Sequence, residues 1–246
     1  MRSEIELSSL AAQLRRDWNE GEYSPVDVFN LVVQQEDITL ITREMPQDMS
    51  GMCVRAGNEI IIAINSTMSL GRQRFTLAHE IYHAYFDDSM TTFVCKKDLG
   101  TAKTDSEREA DLFASYFLVP APALLAFEKE NEAGLWSIDT IVKAEQLYGI
   151  SHQAMLVRLS QERRITKKQF NAISKIPVSG IAAEQGFPAA LYRNSAGLKP
   201  YSCNGSYIRK IEEAYKKKLI GEGKRAELLM DGFADYMTEG GEYVND

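Results

Sequence analysis

His79-Glu80-Ile81-Tyr82-His83 sets two imidazoles four residues apart, with a carboxylate beside the first. On a helix, four residues advance the chain by about 400°, so the two rings stand roughly 40° apart on one face and both can reach one metal ion. Glu80 is then placed to accept a proton from activated water rather than to ligate, the general-base role in zinc hydrolases. The bland alternative is a chance match on an ordinary amphipathic helix. Against it, the chain has only 3 histidines, and two of them stand at ligand spacing among residues suited to burial.

A catalytic zinc takes three protein ligands and a water, so a further donor is needed. In the metzincin pattern, a glycine and a third histidine follow the second histidine; those positions hold Phe86 and Ser89, and the pattern is absent. The stronger candidate is Glu107, which shares a helix face with Asp111 four residues on. One carboxylate would bind zinc while the other accepts the free ring N–H of a ligand histidine, with Asp111 to His79 the expected pair. Local capping competes with this: Thr104 with Glu107, or Ser106 with Glu109, forms a capping-box pattern. Glu109, Asp111, Cys95 and His152 also remain open as zinc donors. Tyr82, Tyr85 and Tyr116 are candidates to donate a hydrogen bond to a tetrahedral intermediate, although tyrosines at helical intervals equally suit a core.

The elements that must position these groups follow from periodicity and punctuation. The spacing of Phe75, Ala78, Tyr82, Tyr85 and Phe86 predicts a helix over about 71–86, and a second runs over about 106–118 before Val119-Pro120. Upstream, Ser8 or Ser9 caps a first helix, and Ser24-Pro25 opens another. Ile38 to Thr42, Met52 to Val54 and Glu59 to Ile64 read as strands, with Ala56-Gly57-Asn58 the turn of a hairpin. The strand Ile60 to Ile64 is a candidate to pair with an extended substrate, or else an ordinary buried strand. Downstream, Ser137 caps a helix that Gly149 stops, and Ser151 caps the next. Residues 165–206 look irregular because glycine and proline punctuate them, and two further helices, through Tyr207 to Tyr215 and through Ala226 to Phe233, follow. Residues 1–164 read as the main domain and 165–246 as a smaller α-rich region.

With 246 residues, 44% of them hydrophobic, the chain can bury a substantial core. No apolar run approaches the ~20 residues that cross a bilayer, and Met1 is followed by Arg2, Glu4 and Glu6 rather than an apolar signal core. Cys53, Cys95 and Cys203 are odd in number and unpaired in spacing, which suits a reducing compartment and places the protein in the cytoplasm. A net charge of −7 argues against a broad phosphate-binding surface, so direct nucleic-acid binding is not expected. Arg158, Arg163, Arg164, Lys167 and Lys168 form a modest basic cluster that reads equally as a solvated helix end.

The segments Arg74 to His83 and Glu107 to Ala114, the latter followed by Leu118-Val119-Pro120, resemble the ImmA/IrrE family of metallopeptidases, of gluzincin-like architecture. Ala11 to Arg15, Ser24 to Asp27, Tyr148 to Ser151 and Arg158-Leu159 extend the likeness over most of residues 8–164. The resemblance implies an α+β fold, a mainly helical zincin-like domain with a small β-sheet. It also implies a Zn2+ cofactor held by His79, His83 and Glu107, with Glu80 as catalytic glutamate, in agreement with the spacing argument. Asp111 stands where the family commonly has asparagine, and either side chain can accept from imidazole. By the same resemblance, the N-terminal helix-turn-helix module that many relatives carry is not expected in this sequence. The implied substrate is a repressor-like transcription regulator, often encoded next door, and the implied reaction is hydrolysis of a peptide bond within it. A non-catalytic zinc module that sequesters such a regulator is the alternative, and DNA binding through the helix pair around Gly149 is a third.

Overall fold

A computed structural model describes residues 2–87, 104–131, 136–194 and 202–232, together with the backbone of 92–96. The first helix, α1 (Glu4–Asp17), starts earlier than Ser8 or Ser9 because Ser3 and Glu6 cap each other reciprocally. That start turns Leu7, Ala11 and Leu14 onto one buried face. The next helix, α2 (Val28–Gln34), opens at Asp27 instead of Ser24, since the Asp27 side chain accepts the backbone N–H of Asn30.

Three strands follow, β1 (Ile38–Arg43), β2 (Met49–Ala56) and β3 (Glu59–Asn65), and Gly57 takes φ 63° in the turn between the last two. Then come the long helix α3 (Leu70–Phe86), strand β4 (Thr92–Lys96) and helix α4 (Asp105–Leu118). Helices α5 (Ala121–Glu130), α6 (Ile138–Tyr148) and α7 (His152–Gln161) continue the chain. Ser137 and Ser151 cap the last two, and Gly149 ends α6 in the left-handed conformation at φ 62°.

The stretch expected to be irregular is largely ordered. It holds α8 (Lys167–Ile173), opened by a capping box between Thr166 and Gln169, and α9 (Val178–Glu184), which begins after Pro177. A 3-10 turn at Ala189–Leu191 and strand β5 (Ser202–Gly205) follow. Prolines and glycines here lie between short elements rather than preventing them. Helices α10 (Ser206–Lys216) and α11 (Glu222–Asp231) close the described chain, and Phe233 lies outside the described residues.

The architecture is α+β and mainly helical, around one mixed sheet of order β4-β2-β3-β1-β5. β1 and β3 run parallel, with Leu40 opposite Ile62, and the other neighbours are antiparallel. β5 brings Cys203 opposite Ile41, so the region after residue 165 contributes a strand to the same sheet. β3 has a partner on each side, which leaves no free ladder on Ile60 to Ile64 for a substrate strand. It is the buried structural strand.

α3 packs against β2, β3 and α4, and every residue from Thr76 through Ala84 is buried. Leu77, Ile81 and Tyr82 join Ile62, Ile64, Phe113 and Phe117 in one apolar cluster. Burial of a single leucine or isoleucine side chain contributes ~1.5–3 kcal/mol, so this packing fixes the rotation of α3 and of every polar group it carries.

Candidate metal centre

α3 carries His79, Glu80 and His83 into this packed region, where all three are buried. The Nε2 atoms of the two imidazoles face each other at 3.2 Å. Glu107, on the first turn of α4, completes a triangle: Oε2 lies 3.4 Å from His79 Nε2 and Oε1 lies 3.6 Å from His83 Nε2. Atoms each ~2.0–2.1 Å from a tetrahedral ion stand roughly 3.3–3.5 Å from one another, so this donor set has the size of a zinc site. These three residues form the group able to hold a metal ion among the described residues.

The capping alternative for Glu107 is only half realised. Thr104 does cap α4 by accepting the Glu107 backbone N–H at 3.2 Å, while the Glu107 side chain turns to the imidazoles. Burial opposes the charge on Glu107, but the hydrogen bonds and charge of His79 and His83 outweigh it and hold the carboxyl well below its usual range. About a quarter of the Glu107 side chain remains exposed (26%).

Outside the triangle, each imidazole has a carboxylate on its other nitrogen. Asp111 Oδ1 lies 3.0 Å from His79 Nδ1, and Asp87 Oδ2 lies 3.3 Å from His83 Nδ1. A metal on Nε2 requires the ring proton on Nδ1, where each of these carboxylates is placed to accept it. The Ser106 hydroxyl donates to the same Oδ2 of Asp87.

Glu80 is the most unusual group. Its side chain is wholly buried, and neither carboxylate oxygen has a hydrogen-bond partner among the described residues. Burial, reinforced by the nearby Glu107 charge and opposed by His79, pushes its pKa up to about 8. A cation seated beside it would favour the ionised form. Gly51 on β2 faces this carboxylate: a Cβ there would stand 2.7 Å from Thr76 Cγ2 and 3.1 Å from Glu80 Oε1.

The other candidates lie elsewhere. Glu109 accepts from Tyr82 and from the Arg2 backbone N–H, away from the imidazole nitrogens. His152 pairs with buried Glu145 at 2.6 Å. Cys95 falls on β4, whose side chains lie outside the described residues. The Tyr85 hydroxyl donates to Asp37, and the Tyr116 ring lies 4.0 Å beneath the Arg158 guanidinium. The hydroxyls of Tyr82 and Tyr85, two of the tyrosines considered as donors to an intermediate, are thus engaged elsewhere.

Sequence reasoning missed Asp87, Ser106 and Gly51. The four-residue step from His83 to Asp87 was a usable signal, since it puts both on one helix face. Ser106 was read only as a helix cap, and nothing local marked Gly51.

The profile of the Peptidase_M78 family, the IrrE N-terminal-like domain, matches residues 27–160, more than half of the chain. The protein belongs to that family and carries a metallopeptidase-like domain. No curated protein matches the chain. Among the described residues, no single helix is long and apolar enough to cross a membrane.

Proposed function

We propose that this protein is a zinc-dependent endopeptidase that hydrolyses a peptide bond in a specific regulatory protein, a repressor-like transcription regulator. Glu80 carries the reading. A buried carboxylate with no hydrogen-bond partner among the described residues is costly to folding, and such groups persist where chemistry uses them. Here it stands one residue from His79, beside the triangle of donor atoms.

In this reading His79, His83 and Glu107 hold the zinc, with Asp111 orienting His79. Bound zinc supplies Lewis-acid polarisation and lowers the pKa of water towards ~7. Glu80 takes the proton of the attacking water and delivers it to the leaving nitrogen. Bound zinc would favour the ionised carboxylate that accepts the proton, while burial of the side chain favours the protonated form that then donates it. The low-dielectric walls of α3 and β2 keep that proton from being lost to bulk water. The free, buried thiols Cys53 and Cys203 suit a reducing cytoplasm.

The choice of a regulator as substrate rests on the family likeness. The test is Glu80→Gln, which keeps the shape of the side chain and removes its basicity. The zinc-loaded variant should capture the regulator and leave its intact mass unchanged, while the wild type converts it into two fragments. Undiminished cleavage by the zinc-loaded variant would overturn the mechanism.

A further inference from the structure

The first turns of α4 contact both imidazoles through residues of consecutive function. Glu107 reaches both Nε2 atoms, and one turn later Asp111 reaches His79 Nδ1. The residue before Glu107 is Ser106, and its hydroxyl bonds the carboxylate that faces His83 Nδ1. We propose that Asp87 and Ser106 are positioning residues for His83: Asp87 fixes its tautomer and ring plane, and Ser106 fixes Asp87. This rests on the metal reading of the centre given above.

Two features argue for that role over simple packing. Asp87 is the C-cap of α3, and its backbone there is extended, at φ −107° and ψ 108°, so the helix no longer dictates where its side chain points. A carboxylate at a helix C-terminus also meets the negative end of the dipole, where charge of its sign is disfavoured. Asp87 is nonetheless 7% exposed, with Oδ2 shared between the imidazole and the hydroxyl. A contact between elements tied in this way transmits geometry. The position of Glu107 and the orientation of His83 are then set by adjacent residues on one helix turn, so donor and ring move together when α3 and α4 shift.

The experiment uses the full chain, stripped of metal and reloaded, with zinc affinity measured by competition against a chromophoric chelator. Visible absorption after cobalt substitution reports the ligand geometry. Asp87→Ala should weaken zinc by ~10–100-fold, the usual cost of removing a carboxylate behind a ligand histidine. It should also alter the cobalt spectrum. Asp87→Asn, which keeps an acceptor for the ring N–H, should recover most of that affinity and the wild-type spectrum. Ser106→Ala should weaken zinc less than Asp87→Ala does, with the thermal midpoint of the metal-free protein unchanged.

If the wild type itself binds no zinc, the metal reading falls. If it binds zinc and Asp87→Ala binds equally tightly with an unaltered cobalt spectrum, the positioning role alone falls. Should Asp87→Ala not fold, Ser106→Ala decides the matter: unchanged affinity and an unchanged spectrum there overturn the proposal.

Discussion

The sharpest expectation concerns Gly51, a residue with no functional group. Its backbone φ lies outside the left-handed region, so glycine is required there for room rather than for conformation. In Gly51→Ala the new methyl would stand 2.7 Å from Thr76 Cγ2, 3.0 Å from the Ala63 carbonyl oxygen and 3.1 Å from Glu80 Oε1. Overpacking of this kind costs ~1–3 kcal/mol, which in a protein of this size lowers the thermal midpoint by roughly 2–12 °C. The third contact carries the functional consequence. Misplacing a reacting group by ~1 Å costs on the order of 100-fold, and a displacement of a few tenths of an ångström should lower kcat/KM by roughly tenfold. Adding Thr76→Ser removes the closest clashing atom and leaves the contact with Oε1. The double variant should therefore regain much of the stability while staying slow. Differential scanning calorimetry and cleavage of the regulator captured by Glu80→Gln measure the two effects separately. Full activity in Gly51→Ala, or recovery of rate together with stability in the double variant, would refute the claim that Gly51 gives Glu80 its space.

Chelation should destabilise the protein: zinc at 100 times its dissociation constant contributes ~2.7 kcal/mol, so stripping it should lower the midpoint by roughly 5–11 °C, and readdition should restore it. Glu80→Gln should retain zinc at the wild-type stoichiometry while cleavage disappears. The pair His152–Glu145 sets a pH dependence away from the metal. Burial disfavours the charged ring, but the hydrogen bond and charge of Glu145, with the Ile173 carbonyl, outweigh it and raise the His152 pKa. A raised folded pKa means the stabilisation is fully present below the unfolded value of ~6.5 and is lost as pH rises through the folded value. The stability gap between wild type and His152→Gln, measured by urea titration, should narrow as pH is raised through that window. A gap that is constant or widens would contradict the assignment.

Much of the centre was legible because its signals are local. The four-residue spacing of His79 and His83 is a property of any helix, and the apolar residues around them announced that the helix would be buried. Glu107 and Asp111 share a face by the same rule, and Ser137, Gly149 and Ser151 act on their own neighbouring backbone groups. The errors were local too. Ser3 and Asp27 outcompeted Ser8 and Ser24 as caps, because a cap is chosen by which side chain reaches a free N–H, and several nearby residues were chemically qualified.

What the sequence determined by itself, then, was a buried helix presenting two imidazoles and a carboxylate, and a second helix presenting two more carboxylates. Tertiary structure decided which of those carboxylates meets which nitrogen. It brought Asp87 and Ser106 together across 19 positions, set Gly51 against Glu80, and added β5 to a sheet begun more than 150 residues earlier. Contacts between distant segments depend on how two elements pack, and packing is fixed by the summed burial of both partners, which no window along one of them contains.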